Sequence, residues 1–327
     1  MILSIIFFIL GLFILIKGSD LLVDGASSLA KKFNIAPMII GLTIIAFGTS
    51  APELLVSLVS SSQGANDLAL GNIFGSNIAN ILLILGVTAI INPITIPHNT
   101  IWKEIPFTLL GAIVVTILGI REQIDGLTLS RINLNNTDVI NTIGISGGLI
   151  LLLFFIIFMY YTLSISNNTD EEPNIQSFPL PLSLLYIVLG LGLLGGGSYI
   201  LVENAVKIAN TFGLAQGFIG LTIVALGTSM PELVTSIAAA RKGHSELAVG
   251  NVVGSNIFNI FFILGVTSII NPIPITGQNL ADIIVLLVST VFMFMMIFIF
   301  TAHRVGKSEG FLMLSLYAAY LYYIFIR

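Results

Sequence analysis

Along this chain apolar residues come in blocks of about twenty, the length an α-helix needs to cross a hydrocarbon core about 30 Å thick. Reading the blocks between polar breaks predicts ten spans, at 2–29, 36–61, 68–91, 105–120, 139–163, 180–210, 217–240, 247–270, 281–300 and 311–326. The breaks are short apart from 121–138 and the stretch 167–179, which carries Asp170, Glu171 and Glu172 and reads as a solvated linker. A secretory leader would be followed by a soluble domain, whereas here further apolar blocks follow the first, so the first block is expected to be a retained helix.

The blocks are not independent. A constant offset of 179 residues superimposes the two halves: GLTIIAFGTSAPE, ending at Glu53, falls on GLTIVALGTSMPE, ending at Glu232, with ten of thirteen positions identical. The segment 68–93 falls on 247–272 with nineteen of twenty-six identical. The chain is therefore a duplication of a five-helix unit, divided as 1–166 for the first repeat, 167–179 for an acidic cytoplasmic linker and 180–327 for the second repeat. Because five is odd, the second copy crosses the membrane in the opposite sense. The resulting fold class is an all-α integral membrane protein of ten transmembrane helices arranged as two inverted repeats.

Charge supports the inversion. Lys31 and Lys32 follow the first span but fall on Asn210 and Thr211, whereas Arg241 and Lys242 follow the seventh and fall on Ser62 and Gln63. Placing both termini outside puts Lys31, Lys32, Lys103, Arg241, Lys242, Arg304 and Lys307 in the cytoplasm, against Arg121, Arg131, Lys207 and Arg327 outside. Composition agrees with a bilayer as the main partner: 56% of the 327 residues are hydrophobic and only 9% charged. The net charge of −4 is dispersed and offers no footprint for nucleic acid, and no obligate protein partner is evident. The absence of cysteine removes thiolate metal sites and thiol nucleophiles.

A carboxylate at mid-membrane costs about 2.5 to 3.5 kcal/mol even on the lenient insertion scale, so Glu53 and Glu232, at equivalent places in the second and seventh spans, mark function. No basic residue shares their spans. Each follows a proline, Pro52 or Pro231, and a helical proline frees the carbonyl four residues earlier, here Gly48 or Gly227. Thr49, Ser50, Thr228 and Ser229 add oxygens within a turn. A second motif pair, GNIFGSNIAN and GNVVGSNIFN, places Ser76 with Asn80, and Ser255 with Asn259, on one helix face. Its glycines, Gly71 with Gly75 and Gly250 with Gly254, have the spacing that lets backbones approach, and Asn72, Asn77, Asn251 and Asn256 suit capping, interhelical bonding or ion binding. With His98, His244 and His303 outside the spans, the donor set is carboxylate, amide, hydroxyl and main-chain oxygen, which suits Ca²⁺ or Na⁺ rather than Zn²⁺ or copper.

These paired GTSxPE and GNxxGSNxxN motifs on inverted repeats resemble the sodium/calcium exchangers of the calcium/cation antiporter superfamily. The resemblance implies a core built from the second, third, seventh and eighth spans. By motif position it implies Ca²⁺ ligands in Glu53, Glu232 and the main-chain oxygens of Thr49 and Thr228. It implies Na⁺ sites that add Ala46, Ser50, Ser76, Ala225, Ser229 and Ser255, with Asn80 and Asn259 beside them. The glycine-rich first and sixth spans, with Gly11, Gly18, Gly190 and Gly195 to Gly197, would slide across the core. Asn259, where some relatives carry an aspartate, resembles the potassium-independent branch. The function implied is a secondary active antiporter, not an enzyme, with Ca²⁺ and Na⁺ as transported ions and no cofactor, in the cell membrane with both termini outside. Proton/calcium exchange and a cation channel are the alternative functions.

Overall fold

The structure is a computed structural model and describes residues 2–96, 98–126, 133–135, 137–164, 177–211, 222, 224–299 and 304–326. Among these, eight helices are long and apolar enough to cross a membrane, and Pro37–Thr49 with Ala51–Ser62 makes a ninth span bent by 43°. Helix is the expected solution, because a backbone in hydrocarbon must satisfy its hydrogen bonds within the segment. The seventh span is represented by Ala225–Thr228 and Met230–Arg241, and the first part of its expected range lies outside the described residues. So do Asp170, Glu171 and Glu172 of the linker, together with Arg131, His303 and Arg327.

Burial sorts the helices into a centre and a periphery. The third span (Asn66–Ile91) and the eighth (Ser245–Ile270) are buried along most of their length, whereas the first (Ile2–Phe33) is mostly exposed in its apolar part. The second span packs on the eighth through glycines: a Cβ on Gly250 would come 3.1 Å from the Cα of Gly41, and one on Gly254 would come 2.8 Å from the Cα of Leu42. The expected close approach is thus present at Gly250 and Gly254. In the third span a Cβ on Gly75 would meet only Ala225, at 3.8 Å.

The first span and the sixth (Leu180–Thr211) lie side by side, antiparallel, with the most extensive contact of any helix pair. Small residues recur every seven positions along both helices and meet in order. A Cβ on Gly11 would come 3.0 Å from the Gly197 carbonyl, one on Gly18 would come 3.1 Å from that of Gly190, and one on Gly25 would come 2.7 Å from that of Ser183. Without an oil-from-water force between helices in lipid, such a seam is held by close backbone packing. Gly195 and Gly196 lie outside this seam. They meet nothing within 4 Å, and only Gly197 of that run lies in the seam.

Two short strand pairs depart from the all-helical expectation. Val139–Ile143 was expected to open the fifth span, but it is a strand, and the helix begins at Ile145. The β-branched run before Gly144 favours extended backbone. Taking β1 as Ile94–Thr95, β2 as Val139–Ile143, β3 as Ile273–Thr276 and β4 as Arg304–Val305, β1 pairs with β4 and β2 with β3, both antiparallel. β1 and β3 are repeat equivalents. Each therefore ties the end of one repeat's central helix to the start of the other repeat's last helix, as an inverted repeat requires.

Candidate functional site

The site lies where both proline-bearing helices break. Ser50 and Ser229 end their first helical segments with backbone angles φ −84, ψ 6 and φ −84, ψ 4, so the two breaks are nearly identical. Ala51–Ser62 and Met230–Arg241 then start with proline in the first turn, where its missing N–H costs nothing, and present Glu53 and Glu232 in that same turn. Glu53 is 0% exposed and Glu232 1%.

The two halves bind each other through these breaks. The Ser50 hydroxyl donates to Glu232 Oε1 at 2.9 Å, and the Ser229 hydroxyl donates to Glu53 Oε1 at 3.0 Å. From the central helices, Ser76 reaches Glu53 Oε1 at 3.5 Å and Ser255 reaches Glu232 Oε1 at 3.3 Å. The structure thus brings together both carboxylates and all four serines singled out in the sequence. Each carboxylate keeps its Oε2 buried without a partner, which is costly for a group of this charge and suits a cation.

Thr49 and Thr228 use their hydroxyls elsewhere, donating to Asn251 Oδ1 and Asn72 Oδ1, each at 3.0 Å. Their main-chain oxygens, rather than their hydroxyls, are what the resemblance assigns to Ca²⁺. The Ala46 carbonyl accepts from the Ser50 N–H at 3.0 Å and the Thr49 hydroxyl at 3.3 Å. The Ala225 carbonyl does the same with Ser229, at 3.3 Å, and Thr228, at 3.0 Å. An ion at either alanine oxygen would compete with a threonine hydroxyl.

Asn72 and Asn251 brace the breaks. Asn72 Nδ2 donates to the Glu53 carbonyl at 3.1 Å and to Ser57 at 3.0 Å, while Asn251 Nδ2 donates to the Glu232 carbonyl at 3.2 Å and to Ser236 at 2.9 Å. Of the alternatives weighed for the four motif asparagines, interhelical bonding is seen at Asn72, Asn251 and Asn256, whereas Asn77 donates to the Ile73 carbonyl of its own helix at 2.7 Å. Sequence reasoning missed Ser57 and Ser236, although their identity at equivalent repeat positions was a usable signal. Asn80 Nδ2 donates to Asn256 Oδ1 at 3.0 Å. Among the described residues no mirrored bond from Asn259 is present: both its side-chain polar atoms are buried without partners there, as are Asn77 Oδ1, Asn80 Oδ1 and Asn256 Nδ2. Asn80 and Asn259 each sit at the start of a π-helical stretch, Ala79–Ile84 and Phe258–Ile263, a local widening that is frequent at functional sites.

The first and sixth spans meet this centre unequally. Between the sixth span and the second lies a cleft of about 600 Å³ whose lining runs from Leu55 and Tyr199 to Gly48 and Thr228. The equivalent cleft, between the first span and Met230–Arg241, is about 350 Å³ and ends at Met230. At its rim Lys242 Nζ lies 2.8 Å from Asp24 Oδ1 and 3.6 Å from Asp20 Oδ1.

A bundle of inverted repeats with a pair of buried acids at its centre and unequal clefts on its two sides is the architecture of a membrane antiporter. The sodium/calcium exchanger protein family model matches residues 3–164 and 182–326. A putative antiporter, CaxA of Alkalimonas amylolytica, is 39% identical over 99% of both chains, and the sodium/calcium exchanger MaX1 of Methanosarcina acetivorans is 31% identical over 97% of both. Among solved structures, the sodium-calcium exchanger NCX_Mj soaked with Na⁺ and Sr²⁺ is 34% identical over 97% of both chains, with a TM-score of 0.80. The chain belongs to the sodium/calcium exchanger family.

Proposed function

We propose that this protein exchanges Na⁺ for Ca²⁺ across a membrane by alternating access, with ions bound at the bilayer midplane between Glu53 and Glu232. The observation that carries the reading is the pair of buried carboxylates, each held by two serine hydroxyls at one oxygen and, among the described residues, without a hydrogen-bond partner at the other. Ca²⁺ takes Glu53, Glu232 and the main-chain oxygens of Thr49 and Thr228. Na⁺ takes sites completed by Ala46, Ser50, Ser76, Ala225, Ser229 and Ser255, beside Asn80 and Asn259.

Two carboxylates give the empty site a charge near −2, which one Ca²⁺ or two Na⁺ neutralise. Moving the bare site through a low-dielectric core is costly, so the carrier changes sides only when loaded, and exchange is obligatory. The asparagines at positions 80 and 259 themselves add no carboxylate to this charge, which supports transport without K⁺. In this reading the repeats divide at a cytoplasmic linker, 167–179, with both termini outside a cell membrane. The larger cleft, lined by residues toward the outer ends of the second and sixth spans, then faces outward.

The test is ⁴⁵Ca²⁺ uptake into proteoliposomes driven in turn by Na⁺, H⁺ and K⁺ gradients. Na⁺ alone should drive it, and Glu53→Gln should reduce uptake about a hundredfold, the scale of removing one member of a buried charged set. Uptake surviving in Glu53→Gln overturns the site. Uptake driven by pH and indifferent to Na⁺ transfers the protein to proton/calcium exchange, and flux without any counter-ion makes it a channel.

A further inference from the structure

Pro231 leaves the Gly227 carbonyl without its helical partner, and the structure shows what takes the vacancy: the Ser198 hydroxyl of the sixth span, at 3.0 Å. Ser198 is 2% exposed. Its repeat equivalent, Ser19 of the first span, is equally buried but donates to Ile16 of its own helix at 2.8 Å. The equivalent freed carbonyl is that of Gly48. Over both broken glycines the crowding side chains come from the sixth span, Leu191 above Gly48 and Val202 above Gly227. One of two equivalent helices thus covers both halves of the site.

We propose that Ser198 and Ser19 are paired positioning residues that exchange roles when the carrier changes the side it faces, a proposal that rests on the alternating-access reading above. In the opposite state Ser19 donates to the Gly48 carbonyl, and Ser198 turns back to the carbonyl of Gly195, the equivalent of Ile16. The first and sixth spans move together because their backbones touch along the glycine seam. In each state one serine holds a freed carbonyl and the other bonds within its own helix. The number of satisfied buried polar groups is therefore unchanged, which keeps the two states close in free energy. The bond also links the moving pair directly to the backbone turn that presents Glu232, so the position of that helix pair is felt at the ion site.

The chain contains no cysteine, so single reporters are clean. Leu55→Cys reports on the larger cleft and Val234→Cys on its equivalent, through their rates of labelling by a water-soluble maleimide in detergent micelles. Ser198→Ala should slow labelling at Leu55→Cys relative to Val234→Cys by about fivefold, the scale of one buried neutral hydrogen bond. Ser19→Ala should shift the same ratio the other way, and Ser198→Thr should restore it. A generally loosened fold raises both rates together and does not reproduce opposite shifts. The proposal is overturned if the two alanine variants move the ratio in the same direction or leave it unmoved. If the reporters in the otherwise unaltered chain also fail to respond to exchanging Na⁺ for Ca²⁺, the alternating-access reading falls as well. A normal response there with unmoved serine variants removes the serine proposal alone.

Discussion

The first and sixth spans hold equivalent places in the two repeats, yet they contact the core differently. The first lies along Met230–Arg241 and is pinned at the rim by Lys242 between Asp20 and Asp24. The sixth touches Ala51–Ser62 at few points and leaves the cleft that reaches Thr228. At the centre, by contrast, the repeats agree closely, with crossed serine–carboxylate bonds at 2.9 and 3.0 Å and crossed threonine–asparagine bonds at 3.0 Å. Symmetry is thus kept in the serine and threonine bonds by which the repeats grip each other, but broken at Asn80, whose bond to Asn256 has no mirror at Asn259, and broken again where the outer pair rests on the core. That division fits the alternating access proposed above.

The outer helix pair is most sensitive at its seam. A Cβ on Gly190 would come 2.7 Å from the Leu22 nitrogen, whereas one on Gly195 would meet nothing within 4 Å. Gly190→Leu should force the pair apart, with overpacking costing about 1 to 3 kcal/mol, and abolish Ca²⁺ uptake. Gly195→Leu, on the same helix but lining the cleft, should leave a folded protein. Size-exclusion profiles in detergent, read with the uptake assay, separate the two, and equal tolerance would dissolve the distinction between seam and cleft.

A medium effect tests the symmetric centre. Asn72→Ala and Asn251→Ala each remove a brace on a glutamate carbonyl and an acceptor for a threonine, at about 1 to 3 kcal/mol for the unsatisfied groups left behind. Both should lower Ca²⁺ affinity about tenfold and by the same factor. A difference between them measured by calcium titration would show that the two halves of the site do unequal work.

The smallest effect tests the broken symmetry. Lys242 is about a quarter exposed and its acids more so, so the ion pairs are worth at most about 1 kcal/mol. Lys242→Gln, which installs the residue found at the equivalent Gln63, should speed labelling of Val234→Cys about two- to threefold. High salt should erase the difference, since exposed pairs are screened. An unchanged rate would mean that helix packing alone holds this cleft.

The candidate site was legible from residue types and spacing because a buried charge is rare enough in a membrane to announce itself, and because the duplication states each signal twice. The strand Val139–Ile143 was not, since an apolar β-branched run counts toward hydropathy whether it is extended or helical. The π-helical stretches at Asn80 and Asn259 leave no mark on hydropathy either. Ser57, Ser236 and Ser198 were hidden for a different reason: serine is ordinary in a membrane helix, bonding to its own backbone, and only a neighbouring helix reveals another partner.

By itself the sequence determined the ten apolar lengths, the duplication, the inversion implied by an odd repeat and the pair of acids beside prolines, because hydrophobic length and the cost of burying charge act locally. Which serine reaches which carboxylate across the repeats, and which of two equivalent helices covers the site, only the tertiary structure decided. The crossed serine–carboxylate contacts join residues more than 170 positions apart, and the near-identical repeats encode both alternatives with the same letters.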